Sequence, residues 1–247
     1  MSLSFHQDQI LRNKQRWENK PLLQRIYRDF YRLIPGYLSR KPDARIVELG
    51  SGLGNIREVI PSCLRTDLFP NPWIDQVENA YALSFADASV SDLILMDVFH
   101  HLRYPGMALK EFSRVLRPGG RVIIIDPCIS LLGVVIYSLF HSESVDFFRP
   151  IEWLAPEGWS PDQADYYAAQ GNATRVFSGN AFKARLTGWD TKAIVKLSAI
   201  SYIASGGYSG PQLYPESALP IVRVIESLCD HIPLIFATRL LVALEKR

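Results

Sequence analysis

Cysteine is scarce in this chain. Cys63, Cys128 and Cys229 are the three present, an odd number set far apart. Neither a disulfide framework nor a metal-binding spacing can be built from them, which fits a reducing, cytoplasmic compartment. Charge imbalance is missing too. Lys and Arg total 27 against 25 Asp and Glu, a formal net charge of +2, too small to mark a nucleic-acid partner. The first residues show no charged stretch leading into an apolar core, so no secretory signal is expected. The longest apolar run, 122–140, is broken by Asp126-Pro127 and reads as a strand and then a helix, not as a membrane span. Repeats and low-complexity segments are absent. The 247 residues, 48% hydrophobic and 21% charged, suffice for one α/β domain with a real core or for two small ones.

The chain is organised around residues 44–55, Ala-Arg-Ile-Val-Glu-Leu-Gly-Ser-Gly-Leu-Gly-Asn. Arg45 to Leu49 is a short β-branched apolar run and predicts a buried strand. Gly50, Gly52 and Gly54 follow, a loop against which a ligand can lie close to the main chain. A helix is expected from about Asn55, over Ile56 to Ile60, stopped by Pro61, its free N–H groups beside that loop. A dinucleotide fingerprint would need glycine at 55, where Asn55 stands, so a nicotinamide-dependent oxidoreductase fails on that position. The second strand, Cys63 to Asp67, ends in an acid nineteen residues after Glu48. Asp67 is placed to accept both ribose hydroxyls of a nucleoside; the plainer reading is a cap on the turn before Pro70.

Residues 70–78 read as connection. Asn79-Ala80-Tyr81-Ala82-Leu83-Ser84-Phe85 comes next, then an acidic turn and a strand from Asp92 to Asp97. His100-His101-Leu102 follows, and a helix from Gly106 to Leu116. Val115-Leu116-Arg117-Pro118-Gly119-Gly120 then stops the helix and reverses the chain into a strand from Arg121 to Asp126.

Taken together, Glu48 with its glycines, Asp67, Asn79-Ala80, His100-His101-Leu102 and the Arg117-Pro118-Gly119-Gly120 turn resemble the class I S-adenosylmethionine-dependent methyltransferases, in particular type 11-like small-molecule methyltransferases, over about residues 43–127. Asn79 stands where the family commonly has Asp, and Ser84 where it has Pro. The resemblance implies a Rossmann-like α/β fold: a seven-stranded, mostly parallel sheet with helices on both faces and the last strand inserted antiparallel between the fifth and sixth. It implies S-adenosylmethionine as cofactor. Glu48, Gly50, Ser51, Gly52 and Gly54 would serve the methionine end, Asp67 and Leu68 the ribose side, Asn79 and Ala80 the adenine, with Met96 and Asp97 at the carboxyl end of the fourth strand. If the acceptor is a hydroxyl, His100 and His101 are the candidates for general base; the structural alternative is that they cap the next helix or pack under the sheet. Tyr104, His141 and Glu152 are weaker candidates.

Outside 43–127 the reading is coarser. Residues 1–40 look helical, starting again at Pro21, with Leu22, Leu23, Ile26, Tyr27, Phe30, Leu33 and Ile34 on one face. Arg25, Arg28 and Arg32 line another face, solvated or holding an anionic ligand. This segment is expected on the core domain near the cofactor cleft. Ile129 to Phe140 is apolar all round: buried, paired with another subunit, or facing lipid. Residues 128–189 carry many aromatics and are implied by the resemblance to be a lid over the substrate. Residues 190–247 complete the sheet, with a strand over 191–202, a helix from Glu216 to Asp230 whose Leu219, Val222, Ile225, Leu228 and Cys229 face inward, and a closing strand over 240–245. One methyltransferase domain over 1–247 is the expected organisation. The expected activity is methyl transfer to an oxygen or nitrogen of a small molecule, sugar-like or lipid-like. The alternative is a non-catalytic cofactor-binding or scaffold protein of the same fold. A peripheral membrane contact and the oligomeric state stay open.

Overall fold

The computed structural model describes residues 3–140 and 145–247. Two helices come first, α1 (Leu3–Asn19) and α2 (Pro21–Leu33). Pro21 suits the first turn of α2, where its missing N–H would have no partner anyway. Leu22, Leu23, Ile26, Tyr27, Phe30 and Tyr31 recur every three or four residues and are buried against the sheet. On the opposite face the arginines already have carboxylates of the chain: Arg25 with Glu216 at 2.9 Å, Arg28 with Glu58 at 2.8 Å and Arg32 with Asp29 at 3.4 Å. That face is a set of solvated ion pairs and not an anion site.

Seven strands form one sheet: β1 (Ile46–Leu49), β2 (Leu64–Asp67), β3 (Gln76–Val77), β4 (Val90–Met96), β5 (Leu116–Pro127), β6 (Trp189–Leu197) and β7 (Arg239–Lys246). Their order is β3-β2-β1-β4-β5-β7-β6. β1 to β5 run parallel, and β7 lies antiparallel to both β5 and β6. Side chains alternate across the central strands. Leu93, Leu95, Val122, Ile124 and Val242 face one core with α3 (Pro105–Val115), while Ile94, Met96, Ile123, Ile125 and Leu241 face the other with α2. Both faces of the sheet are therefore covered, as a largely parallel sheet requires. The expected fold is the observed one.

Several elements differ from expectation. The helix after the glycine loop is only a 3-10 turn, Asn55–Glu58, because Pro61 leaves room for little more than one turn and a single turn does not repay helix nucleation. The connection over 70–78 ends in the short strand β3. The Pro118-Gly119-Gly120 turn lies inside β5: Leu116 pairs with Val90, and the register then jumps to Arg121 against Asp92, so the turn is a bulge in the strand.

The segment after β5 holds α4 (Leu131–Phe140) and α5 (Asn172–Phe177). Helix α4 is not buried: Leu131, Val134, Val135 and Leu139 are exposed, and Gly133 and Tyr137 face inward. After β6 come α6 (Ile200–Ala204), α7 (Leu219–Cys229) and α8 (Pro233–Phe236). Of the α7 residues expected inward, Leu219 is buried, whereas Ile225 and Leu228 are exposed. Polar bonds set that orientation. Glu226 accepts from the Ser201 N–H (2.7 Å) and hydroxyl (2.6 Å), and Asp230 from the Ser198 N–H (2.7 Å). No helix among the described residues is long and apolar enough to cross a membrane.

Candidate active site

Open α/β sheets bind ligands at the carboxyl ends of their strands, and a cavity of about 1160 Å³ opens there. A single small-molecule site takes ~300–1,000 Å³, so this one has room for two ligands side by side. The ends of β1 and β4 supply Gly50, Ser51, Gly52, Met96, Asp97, His100 and His101 to its wall. Helix α1 adds Ile10, Asn13 and Arg16, helix α4 adds Ile136 and Tyr137, and the loop 206–213 adds a further side.

The glycine loop is tied to β2. Ser51 N–H donates to the Thr66 carbonyl (2.8 Å) and Gly52 N–H to Asp67 Oδ2 (3.0 Å). Asp67 Oδ1 accepts from the Phe69 N–H at 3.3 Å. Asp67 therefore does cap the local turns, and it stands beside the loop as a nucleoside site requires. Gly52 has a φ of +51°, and a Cβ built there would meet no atom within 4 Å: its face is open space. Gly54, at φ +68°, is crowded instead: a Cβ built there would lie 2.6 Å from the Trp73 carbonyl oxygen.

Glu48 lies at the base of this loop, fully buried, with the Ser51 and Tyr31 hydroxyls beside its carboxyl group. Burial raises its pKa to about 8, against the smaller opposing effects of those hydroxyls. Below that pH the side chain is a neutral acid. It does not reach the cavity wall itself; Gly50 and Ser51 lie between.

Asn79 and Ala80 stand away from this wall. The Asn79 oxygen accepts from the Tyr81 N–H (3.0 Å) and its amide donates to the Pro161 carbonyl (3.0 Å). Ser84, in place of the usual proline, is held by buried Glu78, which accepts from the Ser84 N–H at 2.8 Å and hydroxyl at 2.5 Å. Leu68 is partly exposed next to Asp67.

The histidines occupy different environments. His100 and Asp126 are both buried, with Nδ1 2.9 Å from Asp126 Oδ1. Burial raises the Asp126 pKa, and His100 opposes the rise. In the tautomer that donates to Asp126 the proton sits on Nδ1, and Nε2 is the ring's basic nitrogen. His101 Nδ1 lies 2.8 Å from the Tyr167 carbonyl, and its ring faces Tyr166 at 5.5 Å. Tyr104 is buried behind Trp159, Glu152 pairs with Arg103, and His141 lies outside the described residues.

Asp97 follows β4 in a left-handed conformation (φ +57°), a strained backbone of the kind that clusters at functional sites. It pairs with fully buried Arg239 and accepts from the Tyr27 hydroxyl at 3.0 Å. Burial works against the Arg239 charge, but Asp97 and the surrounding tyrosines more than offset it; Tyr202 stacks 4.3 Å from the guanidinium. Sequence reasoning passed over Asp126 and Arg239. The one local signal each carries is an ionisable residue at a terminus of an otherwise apolar strand, which does not show its partner.

Residues 47–124 match the family described as a methyltransferase domain. The fold is shared with solved S-adenosylmethionine-dependent class I methyltransferases. The possible histamine N-methyltransferase of Thermotoga maritima aligns with a TM-score of 0.55 at 14% identity, over 100% of both chains. A S-adenosylmethionine-dependent methyltransferase from Archaeoglobus fulgidus gives 0.53 at 12% identity, over 90% of this chain and 94% of that one. The geranyl diphosphate C-methyltransferase of Streptomyces coelicolor, in complex with Mg2+, geranyl diphosphate and S-adenosyl-L-homocysteine, gives 0.52 at 14% identity, over 90% of this chain and 80% of that one. At such identities the likeness is one of fold.

Proposed function

We propose that the chain binds S-adenosylmethionine and transfers its methyl group to an oxygen of a small, largely apolar acceptor, within one methyltransferase domain. The observation that carries this reading is one cavity, large enough for two ligands, with the glycine loop on one side and the His100–Asp126 pair on another. The residues fit the cofactor. Gly52 offers an open backbone face, Asp67 a carboxylate for the ribose, and Glu48 a buried acid beneath the loop. Gly50, Ser51 and Gly52 would hold the methionine portion, Leu68 and Ala80 the apolar side of the nucleoside, and Met96 and Asp97 the reacting end. Asn79 accepts from the Tyr81 N–H, and the second lone pair of its oxygen remains for the adenine amino group.

When bound, S-adenosylmethionine supplies an electrophilic methyl group on sulfur. The protein then has to aim the acceptor, exclude water and take up a proton. His100 Nε2 takes the hydroxyl proton as the new C–O bond forms, and Asp126 stabilises the resulting imidazolium. A nitrogen acceptor would lose its proton to the same group. Residues 128–189 form the acceptor side through Ile136, Tyr137 and Tyr166. Three cysteines without disulfides suit the cytoplasm.

Calorimetric titration with S-adenosylmethionine, S-adenosylhomocysteine and NAD is the test. Micromolar binding of the first two and none of NAD is expected. Well-folded protein that binds neither thioether nor sulfonium cofactor removes the reading.

A further inference from the structure

Helix α7 turns Leu219, Val222, Glu226 and Cys229 toward the protein. Glu226 and Asp230 hold Ser201 and Ser198, and the side left outward shows Ile221, Val224, Ile225 and Leu228. That spacing, i, i+3, i+4 and i+7, is a single apolar stripe. The chain turns at Ile232, whose N–H donates to the Cys229 carbonyl at 2.9 Å, and continues into α8 with Leu234 and Ile235 also exposed. Helix α4 packs against α8, with the Ser130 hydroxyl donating to the Ile235 carbonyl at 2.9 Å, and adds its own exposed aliphatic residues.

We propose that α7, α8 and α4 form the contact face of a homodimer. The area supports a second copy. Eleven aliphatic side chains on these helices and their link are 38–75% exposed. At roughly 60–120 Å² of transferable apolar surface per side chain they hold out on the order of 500 Å². A standard interface takes ~800 Å² from each partner, of which ~65% is apolar in homodimers, again about 500 Å². A helix stripe is self-complementary across a two-fold axis, so one surface can serve both partners. Charge argues against an anionic bilayer in its place. Over 216–236 the acids Glu216, Glu226 and Asp230 outnumber Arg223, which is itself paired with Asp29, and α4 carries no charged residue.

The test is sedimentation velocity with light scattering over a wide concentration range, on the full chain and on the double variant Ile221→Lys/Leu228→Lys. Both positions are exposed, so the variant should keep its circular dichroism. The expected result is a mass twice 28.0 kDa for the native chain and 28.0 kDa for the variant, the dissociation constant rising by more than about a hundredfold because the two-fold axis buries each charge twice. The pair Ile221→Leu/Leu228→Ile should remain dimeric. A native chain that stays monomeric throughout overturns the proposal, as does a dimer that the lysines leave intact. Flotation of a monomer with neutral phosphatidylcholine vesicles would assign the face to lipid and overturn it equally.

Discussion

In the proposed reaction, proton transfer falls to the His100–Asp126 pair. Replacing His100 with Ala should lower kcat by about 10²–10⁴-fold, the usual worth of a general base, with cofactor affinity nearly unchanged by calorimetry. Asp126→Asn should shift the pH–rate profile as well as kcat, because it alters the tautomer and basicity of His100 without touching the acceptor. Loss of folding in both variants would make the pair structural. Glu48 makes a prediction about stability. Its pKa is about 8 in the folded protein against an ordinary value of 4.5, so between the two the folded state holds a proton that the unfolded state has lost. The stabilisation from this group is complete below about pH 4.5 and is lost as pH rises toward 8, with a slope of up to ~1.4 kcal/mol per pH unit. Glu48→Gln should flatten that slope in denaturant titrations between pH 5 and 8. An unchanged slope would mean that Glu48 is not the group involved. Asp67 and Glu48 stood out in the sequence because acids at strand ends beside glycines are conspicuous. Asp126 and Arg239 did not, since their importance comes from partners 26 and 142 residues away.

The glycine loop and its turn separate two roles that look alike in sequence. Alanine at 52 meets no neighbour but must adopt φ +51°, which costs ~1–2 kcal/mol. Its methyl group would enter the cavity, so Gly52→Ala should weaken cofactor binding by more than tenfold (about 1.4 kcal/mol) while the protein stays folded. Alanine at 54 meets the Trp73 carbonyl as well as the strain, so Gly54→Ala should lose more than ~2 kcal/mol of stability in urea unfolding. Equal effects of the two on binding and stability would deny this division. Strands and α2 were legible because their apolar periods are short and local. The orientation of α7 was not. Leu219, Val222 and Cys229 do turn inward, but Glu226 and Asp230 bond serines beneath the helix and leave Ile225 and Leu228 outward. Likewise α4 reads as buried by its apolar content, and only the packing of its neighbours shows which face they leave open.

For the whole molecule, binding of a ligand to the folded state alone adds stability by mass action. At a hundredfold excess over Kd this is ~2.7 kcal/mol, which for a chain of this size raises Tm by about 5–10 °C. S-adenosylhomocysteine should produce that rise in differential scanning calorimetry and NAD should not. The sheet order was legible only through the family resemblance, since spacing cannot show where a last strand inserts. That insertion governs how the chain is made. The seventh strand in chain order lies between the fifth and the sixth, so until residues 239–246 leave the ribosome β5 keeps an unpaired apolar edge and β6 has no neighbour in the sheet. The same strand begins with Arg239, the partner of Asp97. Closing the sheet and pairing the half-buried acid of the cavity wall thus happen in one step, and the candidate site is finished only when the sheet is.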